Sequence, residues 1–180
     1  STVEEHRETE AVYSRNVLEM ITLANEYCRF MEKAEDYTPD EILRYLQKIS
    51  PLIYIKSALL PAVEPEDEDA VEHYVTEEEW ENLFNILRNK FLADDEFHFV
   101  DIREKSHHDP VRASLAESFT DLYQDLKDFL LLYQNPRKAF KENAVAECRR
   151  LFESRYGYKL ANSQAAIHCI LYPEENPIGL

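Results

Sequence analysis

Five side chains that can bind a divalent metal fall within one short stretch: His98, Asp101, His107, His108 and Asp109. Imidazole nitrogens and carboxylate oxygens are the donors that zinc and manganese accept, and a loop can gather such ligands without a standard spacing. This stretch is the candidate metal site, and a divalent ion is the one cofactor it implies. The competing reading is of surface histidines beside an Asp-Pro turn. A second set, Arg137, Lys138 and Lys141, crowds a helix start, where the macrodipole is already positive and a cation is unfavourable. That placement asks for an anion: a bound phosphate or carboxylate, or acidic side chains of the chain itself, such as those of residues 61–75. In those residues Glu64, Glu66, Asp67, Glu68, Asp69 and Glu72 occur without a Lys or Arg, which predicts an exposed acidic loop and a candidate surface for a basic partner. Glu117, Asp121, Asp125 and Asp128 recur at helical spacing. They predict a solvated carboxylate face.

Composition narrows the chemistry further. Only two glycines, Gly157 and Gly179, occur in 180 residues. A phosphate-cradling loop, a dinucleotide fingerprint and a nucleophile elbow are therefore excluded. A net charge of −16 repels nucleic acid and anionic membranes, so neither is an expected partner. Cys28, Cys148 and Cys169 are far apart and lack metal-type spacing, which reads as reduced thiols. No leader-like or membrane-spanning stretch is evident, and a cytoplasmic protein is the expectation.

The elements that must position these residues are helices. Thr38-Pro39-Asp40-Glu41, Thr76-Glu77-Glu78-Glu79 and Ser114-Leu115-Ala116-Glu117 each place a hydroxyl three residues before a carboxylate. These are capping boxes, in which the hydroxyl accepts a backbone N–H and the Glu reaches back to the cap's own N–H. Val17, Met20, Ala24, Cys28 and Met31 mark a first helix ending near Lys33. Pro51 interrupts the pattern of the second and predicts a kink or break near Ser50. The third runs from Glu77 to about Leu92. Leu115, Phe119, Leu122, Leu126, Phe129 and Tyr133 give the fourth the clearest apolar seam and mark it as central. Asn135-Pro136 reads as the cap and start of the fifth, with Gly157 as its left-handed terminator, and a sixth runs to Leu171. Phe97, His98, Phe99, Val100 and Ile102 read as one short strand, whose nearby candidate partner is residues 71–75.

The expected fold is a mainly-α bundle of about six helices with at most a minor two-stranded β element. It spans residues 1–180 as one domain, with residues 172–180 as a tail.

Tyr27-Cys28, Pro51 followed by Tyr54, the acidic turn of residues 61–67, Glu78-Glu79-Trp80, Ser114-Leu115-Ala116-Glu117 and Asp121-Leu122-Tyr123-Gln124-Asp125-Leu126-Lys127 together resemble the bacterial domain-of-unknown-function family 5063. The resemblance runs from the first helix to Gly157, and the Asp-Leu-Tyr-x-Asp-Leu-Lys stretch is its most specific part. It implies a compact, mostly helical bacterial domain with no established activity, carries over no catalytic residue, and marks Asp121 and Asp125 as charge-network candidates for basic residues on the fifth helix. Where the family has a Trp-Gly pair near the C-terminus, this chain has Tyr156-Gly157.

Two functional readings follow. The first is a non-enzymatic cytoplasmic interaction module, monomeric or homodimeric, whose acidic surface meets a basic protein. The second is a metal- or anion-dependent enzyme or small-ligand binder, using residues 98–109 or 137–141. No nucleophile, base and orienter constellation is evident, which favours the first.

Overall fold

The computed structural model describes residues 10–105 and 109–174. Its helices are α1 (Arg15–Met31), α2 (Pro39–Ala58), α3 (Glu77–Phe91), α4 (Leu115–Tyr133), α5 (Lys138–Leu151) and α6 (Gly157–Leu171). A π-helical turn, Phe152–Tyr156, joins α5 to α6 without a break. The minor β element is an antiparallel pair, β1 (Glu96–Phe99) and β2 (Val111–Ser114), in the register Glu96 to Ser114 and Phe99 to Val111. The fold is mainly α, as the helical periodicities predict. No helix among the described residues is long and apolar enough to cross a membrane.

The three predicted caps form. Thr38, Thr76 and Ser114 accept the backbone N–H of Glu41, Glu79 and Glu117 at 3.2, 3.1 and 3.1 Å. The reciprocal half differs from expectation, because Glu41 and Glu79 accept from the threonine hydroxyls rather than from the caps' own N–H groups. At α4 the partner is Asp95, which is buried. Its carboxylate accepts from the Ser114 hydroxyl and the Ala116 N–H, and its carbonyl accepts the Leu115 N–H. Asp95 thereby ties the strand pair to the start of the central helix, where the positive end of the macrodipole favours a carboxylate.

Helix α4 is the hub. It packs against α1, α3, α5 and α6. Leu115, Phe119, Leu122 and Leu126 are at most 1% exposed. Two buried tyrosines lock it to the N-terminal region: Tyr27 donates to the Phe119 carbonyl and Tyr133 to the Val12 carbonyl, each at 2.6 Å. Buried hydroxyls need such partners, since each left unmade costs about 1–3 kcal/mol.

Three local expectations are corrected, and a fourth, at Pro51, is narrowed. The partner of β1 is Val111–Ser114, not residues 71–75, because the latter are bonded to α4 instead. Of the kink or break expected at Pro51, the break does not occur, and helix α2 continues through it. Proline removes the N–H that would reach the Gln47 carbonyl, and Gln164 of α6 replaces it, its Nε2 donating to that carbonyl at 3.0 Å. Helix α5 starts at Lys138, and Pro136 lies outside it in a turn where Asn135 Oδ1 accepts the Arg137 N–H. Gly157 ends nothing: its φ is −60°, in the ordinary right-handed region. It is needed for space, since a Cβ there would lie 2.7 Å from both the Phe152 ring and the Phe152 carbonyl.

Gly157→Ala should therefore destabilise the protein by about 1–3 kcal/mol in urea unfolding, against the gain of about 0.5–1 kcal/mol normally expected of Gly to Ala in a helix. An equal or higher stability would contradict the close packing of the π turn.

Candidate functional site

Helical spacing brings Asp121, Asp125 and Asp128 to one side of α4, but other elements cover that side. The expected solvated face is corrected at these three residues, while Glu117, its fourth member, is exposed. Asp121 accepts from the Trp80 indole of α3 at 2.9 Å and from Lys159 of α6 at 2.8 Å. Asp125 is 6% exposed and meets Arg155 of the π turn at 2.5 Å. Asp128 Oδ1 accepts the backbone N–H groups of Tyr74 and Val75 at 2.8 and 3.0 Å, and its Oδ2 lies 3.5 Å from His73 Nδ1. Asp121 and Asp125 thus do form a charge network: Arg155 lies within the stretch expected as the fifth helix, in its closing π turn, whereas Lys159 belongs to α6.

Between α4, α5, the π turn and residues 71–73 lies a cleft of about 330 Å³. One part of its lining is apolar, with Val71, Phe129, Leu132, Ala144 and Leu151. The other part carries Glu72, His73, Asp125, Asp128, Glu147, Arg150 and Arg155. Glu147 and Arg150 pair with each other at 2.7 Å. Asp125 is the unusual member. Arg155 takes Oδ1, while Oδ2 is buried without a hydrogen-bond partner. Burial outweighs the attraction of the Arg155 guanidinium and pushes the carboxyl up to about 6.

Cys148 also lines the cleft, bonded to the Tyr156 hydroxyl at 3.5 Å, and Tyr156 donates to Ser57 at 2.6 Å. Burial pushes the Cys148 thiol up to about 12, so it is a protonated structural group rather than a nucleophile. Cys28 is raised further, for the same reason.

The acidic residues of 61–75 lie where the sequence places them, at the surface. Glu64, Glu66, Asp67, Glu68, Asp69 and Glu72 are all exposed. The backbone beneath them is fastened: Asn143 Nδ2 donates to the Asp67 carbonyl at 2.7 Å, Asp67 Oδ1 accepts the Asp69 N–H, and Asp128 holds Tyr74 and Val75.

The other candidate sets are dispersed. His107 and His108 lie outside the described residues. Asp101 is committed to Arg103 and Tyr158, and the Arg103 guanidinium holds its carboxyl down to about 2. His98 projects from the exposed side of β1, and Asp109 is exposed. Among the described residues no cluster of three or more potential ligands is placed to hold a metal. Of the basic set, Lys138 pairs with Glu10 at 3.3 Å and Arg137 lies over the Phe140 ring. Lys141 donates to the Tyr133 carbonyl at 2.6 Å, which caps the C-terminal end of α4, where a cation is favourable. The direct counter-charge in this region comes from Glu10 and a helix end, and Glu66 of residues 61–75 adds a longer-range attraction on Lys138.

Sequence reasoning missed Arg155, Asn143 and Asp95. Arg155 carries no local signal, because the π turn shifts its register from the one that α5 periodicity would give. Asp95 was hidden by its short loop, although its carboxylate reaches the start of α4, beyond both strands.

This arrangement defines a mainly-α protein whose central helix holds its neighbours by carboxylates and leaves a polar cleft at their junction. The chain belongs to the family described as Domain of unknown function (DUF5063), which matches residues 11–173. It is similar to protein BF1032 from Bacteroides fragilis, whose crystal structure shares 29% identity and a TM-score of 0.82 over 93% of this chain and 99% of that one. No curated protein matches it.

Asp128→Ala should release the strap of residues 71–75 by freeing two N–H groups. Amide exchange at Tyr74 and Val75 should accelerate by about tenfold or more, with about 1–3 kcal/mol lost overall. Unchanged exchange at both would show that Asp128 does not hold the strap.

Proposed function

We propose that this chain is a non-enzymatic cytoplasmic interaction module that engages a basic protein partner across residues 61–75. The observation that carries this reading is six exposed carboxylates set on a fastened backbone. None of the six pairs with a Lys or Arg among the described residues. Some acids elsewhere are matched with bases, as at Glu19 with Lys56 and Glu32 with Lys127. A strap already fixed by Asn143 and Asp128 avoids much of the ordering cost that a free loop incurs on binding. Its unpaired charge speeds encounter with a basic surface and disfavours acidic ones.

Fluorescence anisotropy with Lys/Arg-rich peptides tests the reading, using the triple variant Glu64→Gln, Glu66→Gln, Glu68→Gln, whose changes touch none of the fastening bonds. Binding should fall steeply with salt, and the variant should bind about tenfold more weakly with a shallower salt slope. Equal affinity and equal salt slope for the variant would overturn it.

A further inference from the structure

The cleft beside the strap holds a second kind of information, carried by Asp125 instead of by surface charge. Its carboxylate is more than nine-tenths buried and lines the cleft. It has one cationic partner, Arg155, which meets a single oxygen through a single nitrogen. The other oxygen has none. A carboxylate can take two parallel N–H bonds from one guanidinium, and that paired geometry is stronger than a single bond. Arg155 reaches Asp125 from the π turn and is itself 45% exposed, so it can leave toward solvent. Val71, Phe129, Leu132 and Leu151 line the same cleft and offer an apolar surface to an alkyl stem.

We propose that this cleft is a guanidinium subsite, in which an arginine side chain of the partner displaces Arg155, forks across both oxygens of Asp125 and lays its methylenes along Val71 and Phe129. Arg155 is then the resident stand-in for the ligand's cation. This assignment deepens the proposed interaction module and rests on it for the source of the arginine. The upward displacement of the Asp125 carboxyl by burial agrees with it, since a carboxylate short of compensation gains most from a second cationic contact. The size also agrees: about 330 Å³ is at the small end of ligand pockets and suits one side chain.

The ion pair makes opposite predictions for its two members. The probe is Nα-acetyl-arginine methylamide, with the neutral isostere Nα-acetyl-citrulline methylamide as control, followed by amide chemical shifts and calorimetry. The wild-type protein should bind the arginine compound about tenfold or more tightly than the citrulline compound, with shifts at Val71 and Phe129. Arg155→Gln removes the competitor and should tighten binding, whereas Asp125→Asn should abolish it. Val71→Trp, a change at an exposed position on the mouth, should block the cleft while leaving the ion pair intact, which covers the case in which Asp125→Asn fails to fold.

No preference for arginine over citrulline in the wild type overturns the subsite. So does binding only in Arg155→Gln, which would be rescue of a broken structural pair. Basic peptides that bind the strap while the arginine compound leaves the cleft unshifted would sink the subsite and spare the interaction module. The converse pattern would do the reverse.

Discussion

Asp121, Asp125 and Asp128 are three carboxylates on one edge of the central helix, and each is bonded to a different neighbour. Asp121 joins α4 to the Trp80 indole of α3 and to Lys159 of α6. Asp125 joins it to the π turn through Arg155, and Asp128 to the acidic strap through two backbone amides. Apolar burial supplies most of the driving force for collapse, but it is non-directional. These bonds have direction. They fix where α6, the π turn and residues 71–75 lie relative to α4, and the cleft is the space left between those attachments. Buried ionic contacts of this kind are weak evidence for stability, because desolvation offsets the attraction. Their contribution in this fold is placement.

The helices could be read in advance because their signals are local. A hydroxyl and a carboxylate three residues apart need no distant partner to form a cap, and the four-and-three spacing of Leu115, Phe119, Leu122 and Leu126 makes a seam in any bundle. The acidic strap was legible for the same reason: no counter-charge lies within it. The partner of β1 was not legible, since choosing between residues 71–75 and Val111–Ser114 requires knowing that Asp128 already holds the former. Gly157 misled because its usual role at helix ends is conformational, whereas its role beside Phe152 is steric.

The candidate site divides along the same line. Periodicity put Asp121 and Asp125 on one face and the family resemblance marked them as a charge network, but neither says whether that face meets water. Arg155 decides the matter, and its position depends on a π turn that no spacing rule anticipates. The exposed set around Glu64 and Asp67 was found from composition alone, yet the amide of Asn143 and the carboxylate of Asp128, which hold it, lie on separate helices. Local chemistry was visible in the chain. The attachments that turn it into a surface and a cleft were not.

The most direct test of this account is the titration of Asp125 followed by its side-chain carboxyl carbon in NMR. A carboxylate buried on α4 with one oxygen compensated should titrate near 6. Its folded value then lies above the ordinary 3.8. Its protonation therefore adds stability that is fully present below that ordinary value and is lost as pH rises through the folded one. A midpoint at the ordinary carboxylate value, with no such stability change attributable to Asp125, would mean that water or Arg155 already satisfies both oxygens. The central helix would then hold the π turn by an ordinary solvated pair, and the cleft would have no carboxylate waiting for a cation.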